Sequence, residues 1–507
     1  MNIQVRPLSM TDFSDLTSST QEAYAHALGT WSQTEIQALI SLFPQGQLCV
    51  EVDGKVVASA LSIIINSKKT NLHASYDAIT SSGTFAQHDP TGEILYGIEI
   101  FVHPNYRKLR LGRRLYDARK ELCEEMNLKS ILAGGRIPNY HHFSKEMSPR
   151  HYIEKVKNKE IYDPTLAFQL SNDFSVKKIL RNYLKDDKES LEYATLLEWN
   201  NIYYEPELKS NSPTKRTIRL GLVQWQMRLF NSLQEFYDQV EFFVQSVSDY
   251  GADFILFPEF FNTPLMSPYN HLMEIEAMHE LAKLTDTIVQ KMQHFAITYN
   301  VNIISGSMPE LNADKLYNTS FLCHRSGKLD AYSKIHVTPN EFKYYALKGG
   351  DEIRVFDTDC CKIGIQICYD VEFPELSRLL ADQGMEILFV PFMTDTQNGY
   401  TRVRACSQAR AIENECYVAI AGSVGNLPRV NNMDIQYSQS AVFTPSDFAF
   451  PTNGVKSEAT PNTEMVLIAD VDLYLLKELH EYGTVKTKKD RRLDLYHIQS
   501  NTKKHTN

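Results

Sequence analysis

KIGIQICYDVEFPELSR, residues 362–378, is the stretch from which the fold of this chain is read. Ile363, Ile365 and Ile367 alternate with Gly364, Gln366 and Cys368, which predicts a strand. Pro374 then stands where a first helical turn tolerates proline, so a helix follows. Cys368 is thereby expected at a strand-to-helix corner, near the backbone N–H groups of a turn. Such a corner lowers a thiol's pKa and cradles a developing oxyanion. A cysteine at a strand end is, taken alone, more often an inert core residue. What reverses that reading lies upstream.

DFILFPEFFNTP, residues 253–264, is an apolar run that stops at Pro258 and delivers Glu259 immediately afterwards. DAYSKIHVTPNE, residues 330–341, does the same with Lys334 after Tyr332, and adds Glu341 shortly beyond. Three strand ends therefore present a carboxylate, an ammonium and a thiol, in that order. Carrying these ordered motifs, residues 217–485 resemble the nitrilase or carbon–nitrogen hydrolase superfamily. The resemblance implies a four-layer αββα sandwich, a Glu259–Lys334–Cys368 catalytic triad, no cofactor for the hydrolase, and at least a homodimer. It also implies that Glu341 is an additional active-site glutamate that positions Lys334 or the substrate. RAIEN (410–414), YVAIAGSVGN (417–426) and FPE (373–375) match the family too. Arg410 and Glu413 are read as holding their helix. Glu372 occupies a position where many relatives carry arginine, which leaves the substrate preference open.

Breaking an amide requires a nucleophile, a proton source and oxyanion stabilisation, because nitrogen is a poor leaving group. Cys368 is the expected nucleophile and Glu259 the proton carrier. Lys334 and the backbone N–H of Tyr369 are the expected oxyanion partners. The leading expectation is hydrolysis of a small amide, in preference to a nitrile. Two others stand beside it: transfer of the acyl group to another acceptor, and a non-catalytic scaffold that binds metabolites or partners.

The chain has 507 residues, room for two or more domains, and 43% hydrophobic content, which is globular. No apolar run approaches the roughly 18 residues of a membrane span, and MNIQVRPLSM has no signal-peptide pattern. A cytoplasmic protein with no membrane partner is expected. The net charge of −10 argues against a nucleic-acid partner. Eight cysteines show no CxxC spacing and are read as reduced thiols, with Cys360 and Cys361 on opposite sides of a strand. No metal site is expected; the pair His141–His142 lacks further residues at ligand spacing.

In the first 204 residues, IQVRPL (3–8) reads as a strand and MTDFSDL (10–16) as a helix start capped by Thr11. A second helical pattern spans 31–43, and residues 47–65 form a hairpin turning at Asp53-Gly54. A polar loop covers 66–93. Strands are expected in 93–106, 130–138, 164–172 and 192–204. The segment IEIFVHPNYRKLRLGRRLYDARKELC, residues 98–123, resembles the acetyl-CoA motif of the GNAT acetyltransferases, Arg/Gln-x-x-Gly-x-Gly/Ala opening a helix. The resemblance covers residues 1–204 as an α/β GNAT-like domain. It implies acetyl-CoA held by Val102, Arg107, Lys108, Leu109, Arg110, Leu111, Gly112 and Arg113. Arg107 and Gly112 match; Arg110 stands at the first motif glycine, and either adds charge to phosphate binding or marks a domain that has lost its cofactor. Glu99, breaking an apolar strand, is the base candidate for acetyl transfer to an amine, with Tyr140 or Tyr152 as acid.

EPELKSNSPTKRT, residues 205–217, is the expected linker. From 218 to 485 strand and helix patterns alternate as in an α/β domain. Asn231 is the expected cap of the first helix, a helix is expected around 279–299, and strands in 352–359 and 362–370. The basic stretch 486–507 is expected to be an extended, partner-contacting or disordered tail.

Overall fold

The computed structural model describes residues 1–24, 29–204, 217–427, 430, 433 and 435–500. The chain divides into two compact units, Met1–Thr214 and Lys215–Asn507. Nearly all of the expected linker falls outside the described residues; its last member, Thr217, opens the strand Thr217–Gln226.

The first unit is a 7-stranded sheet in the order Ile3–Pro7, Leu48–Val52, Lys55–Ile65, Ile94–Val102, Ser130–Arg136, Ala194–Asn200, Ser175–Leu180. The hairpin turns at Asp53-Gly54 as expected, with both residues at positive φ. Two irregularities of this sheet make a cavity. Ile94–Gly97 pairs in parallel with Ser130–Ala133, and the two strands part beyond that point. On the other side the register slips between Leu61 and Ser62, so Ile98 bulges out and re-aims the neighbouring Glu99. The helix Leu111–Glu125 packs on this sheet through Leu115, Tyr116 and Arg119.

Several local expectations for this unit need correction. Residues 164–172 form not a strand but the helix Pro164–Leu170, capped by Asp163, whose Oδ1 accepts from Thr165 and Leu166. An Asp-Pro start outweighed a short apolar pattern that fits either state. Thr11 is not a cap: Ser9 precedes the turn Met10–Asp12, and Asp12 precedes the helix Phe13–Ala23.

The second unit is a 14-stranded sheet that curls into two packed halves. One half holds Thr217–Gln226, Phe254–Leu256, Asn302–Ile304, Met308–Asn312, Lys315–Cys323, Leu329–Ser333 and Met465–Asp472; the other is built on Lys362–Ile365, Ile387–Phe392 and Tyr417–Asn426. Alternation divides the first half's side chains. Ile218, Leu220, Leu222, Phe254 and Leu256 share one core with Ile363, Phe389 and Ile420 of the other half. Val223, Trp225, Ile255 and Phe257 face the helices Leu233–Asp249 and Thr285–Tyr299. The helices Pro374–Asp382 and Gln397–Asn414 contribute Leu380 and Val403 to the core of the second half. Helix, sheet, sheet, helix is the four-layer order that the resemblance implied.

Here too some local expectations fail. Ser232, not Asn231, caps Leu233–Asp249, its hydroxyl accepting from Glu235 N at 3.1 Å. Two helices, Glu274–Ala282 and Thr285–Tyr299, replace the single one around 279–299. The run 352–359 keeps only the two-residue strand Phe356–Asp357. Cys360 and Cys361 lie in a bend, their N–H groups both turned to Thr358 Oγ1, rather than across a strand. The described part of the tail folds back on its unit: Thr487 and Lys488 donate to Glu415, and Arg491 pairs with Asp382 at 2.6 Å. All eight cysteines are free thiols, and no helix among the described residues is long and apolar enough to cross a membrane.

Candidate active site

The second unit brings Glu259, Lys334, Glu341 and Cys368 to one cavity of about 870 Å³, which Tyr369 also lines. Glu259 follows Phe254–Leu256 because Pro258 cannot continue the ladder. The chain is then forced through Phe260 at φ 51. Gly306 permits this turn: a Cβ on it would fall 1.9 Å from the Pro258 carbonyl oxygen. Cys368 itself sits at φ 48, a left-handed conformation that costs a non-glycine residue on the order of 1–3 kcal/mol and clusters at functional sites. The expected strand-to-helix corner is thus a strained turn, Cys368–Glu372, leading into Pro374–Asp382.

Lys334 is 1% exposed and its Nζ donates to Glu259 Oε1 at 2.8 Å and to Glu341 Oε1 and Oε2 at 2.8 and 2.9 Å. Asn318 Nδ2 donates to both carboxylates, at 2.9 Å to Glu259 and 3.2 Å to Glu341. The backbone N–H of Met393 holds the other oxygen, Glu259 Oε2, at 2.9 Å. Glu341 is further fixed as the last member of the capping box Thr338-Pro-Asn-Glu341: its Oε2 accepts from Thr338 N at 2.8 Å, while Thr338 Oγ1 accepts from Glu341 N at 3.2 Å.

Burial pushes the Glu259 carboxyl above its ordinary range, and the Glu341 charge adds to this against the opposing pull of Lys334. For Lys334 burial alone would lower the ammonium's pKa, but Glu259 and Glu341 outweigh it and hold the side chain charged. Glu341 is the reverse case: burial works against ionisation, and the Lys334 charge overcomes it and keeps the carboxyl low. The Cys368 thiol is pushed well above its usual value by burial, with Glu259 adding and Lys334 opposing. This corrects the expectation of a lowered thiol pKa. The corner's dipoles do not offset the loss of water around the sulfur. The resting thiol therefore keeps its proton, beside a buried carboxylate suited to accept it.

Sequence reasoning missed the groups that hold these elements together. Asp370, fully buried, accepts from Tyr332 Oη at 2.8 Å, from His336 N at 2.8 Å, and pairs with His336 Nδ1 at 2.9 Å. Arg410 does more than hold its helix. Its Nε donates to the Val371 carbonyl at 2.9 Å and its Nη2 to that of Glu372 at 3.2 Å, so it clasps the Cys368 turn; Nη1 pairs with Glu413 at 3.0 Å. No local pattern marked Asn318, Asp370 or Met393.

In the first unit Val102 ends its strand, Arg107, Lys108 and Leu109 lie in the turn Pro104–Leu109, and Leu111, Gly112 and Arg113 open the helix Leu111–Glu125. Arg110 takes the left-handed conformation, φ 53 and ψ 28, that the motif glycine would supply. A Cβ on Gly112 would come within 2.8 Å of the Phe168 ring, so this glycine lets the helix start pack closely against Pro164–Leu170. A cavity of about 520 Å³ opens where the strands part, lined by Trp31, Tyr76, Glu99, Arg119 and Arg136 among others. Glu99 lies deep in the protein yet touches this cavity; burial pushes its carboxyl up to about 7, with the hydrogen bond from Trp31 Nε1 at 2.8 Å opposing. Tyr140 and Tyr152 are buried core residues whose hydroxyls donate to the Met147 carbonyl and to Asp163, so neither opens to the cavity as the acid expected from sequence. The rings of His141 and His142 lie 3.8 Å apart, tilted by 39°, in the short helix Tyr140–Phe143.

Comparison with known proteins gives the same two parts. Residues 219–481 match the carbon-nitrogen hydrolase family model, and residues 12–142 that of the acetyltransferase (GNAT) family. The chain is 47% identical over 470 residues to a probable hydrolase of Bacillus subtilis (strain 168), YhcX, covering 92% of each chain. It is 33% identical over 206 residues to an uncharacterized N-acetyltransferase of the same organism, YkwB, covering 40% of this chain and 91% of the relative. It is 28% identical over 292 residues to the omega-amidase NIT2 of Mus musculus, covering 56% of this chain and 98% of the relative.

Proposed function

Since the chain belongs to the carbon–nitrogen hydrolase family, and carries a GNAT-like domain before it, we propose that the second unit hydrolyses a small amide through a thioester on Cys368. The observation that carries this reading is the buried Glu259–Lys334–Glu341 cluster facing Cys368 in one cavity. Glu259 takes the thiol proton as sulfur attacks the carbonyl carbon. The oxyanion that forms is stabilised by the Lys334 charge and the Tyr369 N–H, donors worth about 3 kcal/mol each in acyl transfer. The carbon–nitrogen bond breaks as Glu259 returns the proton to the departing nitrogen. Water, deprotonated by Glu259, then attacks the thioester; the carbon–sulfur bond breaks, the acid leaves and the thiol is restored. Glu341 and Asn318 keep Lys334 and Glu259 in place throughout. Similarity to omega-amidases supports an amide over a nitrile.

The test is intact-mass analysis after incubation with small amides, alongside ammonia release. A mass increase on the wild type that Cys368→Ala abolishes, together with free acid as product, supports hydrolysis. Acyl product on an added nucleophile in place of free acid assigns acyl transfer instead. Neither adduct nor product across a panel of amides and nitriles leaves a binding scaffold.

For the first unit we infer N-acetyl transfer from acetyl-CoA to an amine. The residues present fit this cofactor: the left-handed Arg110 shapes the turn into a 15-residue helix, whose first N–H groups have no intrahelical acceptor. Arg107 and Lys108, both exposed, add positive charge there. Acetyl-CoA supplies an activated acetyl group when bound. Glu99, with its carboxyl raised to about 7, is suited to take a proton from the acceptor amine near neutral pH.

A further inference from the structure

The wall of the hydrolase cavity opposite in character to its catalytic cluster carries a pair of opposite charges that the reaction does not use. Glu372, at the end of the Cys368 turn, and Arg402, on the helix Gln397–Asn414, both line the cavity and face each other with Arg402 Nε 3.3 Å from Glu372 Oε1. The Glu372 side chain is 17% exposed and that of Arg402 62%. An ion pair this open to solvent contributes little, so it yields readily to a ligand that offers better partners. Glu372 is nevertheless well placed, because Arg410 clasps its backbone carbonyl.

A second residue of the cavity lining points to a donor on the ligand. Gln436 lines the cavity, is 5% exposed, and its Oε1 has no hydrogen-bond partner. A buried acceptor left unpaired is costly, and a turn of the Gln436 amide toward the cavity lets a ligand N–H satisfy it. Asp395, exposed at the same cavity, adds a further negative group.

Resting on the amidase reading above, we propose that the substrate is an amide whose far end is a zwitterionic α-amino acid. Its ammonium is taken by Glu372 and the Gln436 oxygen, and its carboxylate by Arg402. In such a head the two charged groups sit on one carbon, about 2.5 Å apart from standard bond lengths and angles, a spacing that matches side-by-side opposite charges 3.3 Å apart. An amide with only a carboxylate at its far end leaves Glu372 and the Gln436 oxygen facing no donor. One with only an ammonium leaves Arg402 without its anion. A cavity of about 870 Å³ holds the whole molecule with its amide carbon at Cys368. Sites built to pair polar groups reject analogues that lack them more strongly than apolar pockets reject a missing methylene.

The experiment measures ammonia release by the full chain from L-glutamine and L-asparagine. It compares them with their counterparts lacking the amino group (glutaramate, succinamate), those lacking the carboxylate (4-aminobutanamide, 3-aminopropanamide), and neutral butyramide. The zwitterions are expected to exceed both singly charged sets by at least about tenfold in kcat/KM. Glu372→Gln should depress turnover of the amino-bearing amides about tenfold more than that of butyramide, with partial recovery in Glu372→Asp. Arg402→Met should do the same for carboxylate-bearing amides. Thermal unfolding of each variant separates a lost contact from a lost fold. Preference for a singly charged or neutral amide, or equal loss on all substrates in both variants, overturns the proposal while the amidase reading stands. No turnover and no Cys368 adduct with any of these amides overturns both.

Discussion

The hydroxyl of Tyr332 donates to Oδ2 of Asp370 at 2.8 Å, with both side chains buried. Tyr332 lies two residues before Lys334, and Asp370 two residues after Cys368. With the bonds from His336, it ties the segment that carries the ammonium to the turn that carries the thiol, although neither Tyr332 nor Asp370 touches a reacting atom.

Tyr332→Phe removes that link and leaves Asp370 its bonds from His336. Loosening a catalytic constellation lowers the chemical step more than binding. Steady-state kinetics should show kcat down about tenfold with KM within about threefold. Unchanged kcat would make the bond structural only.

Cys368→Ala should abolish hydrolysis while the second unit unfolds within a few degrees of the wild type. The sulfur's hydrogen bond to the Met393 carbonyl is long, 3.8 Å, and Cys368 sits in a left-handed turn that alanine strains no more than cysteine. Comparable turnover by this variant would remove Cys368 from the mechanism.

The acid limb of kcat/KM should titrate above the ordinary carboxylate value of 4.5, because Glu259 must be ionised to take the thiol proton and burial raises its pKa. Activity falls as pH drops through that raised value. Since the Glu341 charge contributes to the rise, Glu341→Gln should move the limb to lower pH. Glu259→Gln and Lys334→Met should each cost at least about a hundredfold in rate. A limb near 4.5, unmoved in Glu341→Gln, would rule out Glu259 as the titrating group.

Glu99 makes a prediction about stability in the first unit. Its folded pKa of about 7 lies above the unfolded value near 4.5, so the folded state binds more protons in that interval. Stability is therefore lost as pH rises from about 4.5 to about 7 and levels off above. Glu99→Gln should remove this dependence, with a gain on the order of 1–2 kcal/mol at pH 8, after allowing for solvent in the cavity, and none at pH 4. Calorimetric unfolding of the full chain at the two pH values reads it; an equal effect at both would mean that Glu99 does not titrate there. The same substitution should abolish amine acetylation.

Arg110→Glu should weaken acetyl-CoA binding by more than about tenfold, roughly 1.4 kcal/mol, by reversing a charge at the start of the helix Leu111–Glu125. Isothermal titration of wild type and variant measures it. Equal affinities would put Arg110 outside the phosphate site, and no binding by the wild type would leave the first unit without this cofactor.

Legibility of the chain followed the range of the forces involved. Pro258 after an apolar run, the alternation in 362–368 and the Asp53-Gly54 turn are effects of neighbours in sequence, and each placed its element. Failures were local where two states compete for the same pattern, as in 164–172, where Asp163 and Pro164 started a helix. Elsewhere they came from contacts with distant residues. The basic tail, expected to be extended, partner-contacting or disordered, folds back in its described part on Glu415 and Asp382, which are far from it in sequence.

For the site, the sequence determined which side chains arrive: Glu259, Lys334 and Cys368 stand at strand ends, positions written in a few adjacent residues, and the family resemblance added Glu341. Only the tertiary structure decided how they work together. Asn318 bridges the two glutamates, Met393 holds Glu259 across 134 residues, Asp370 ties the lysine strand to the cysteine turn, and Arg410 clasps that turn from another helix. The protonation states changed as well, the thiol moving up where the corner suggested down. Desolvation and Coulomb forces depend on what lies nearby in space, and no spacing along the chain records that.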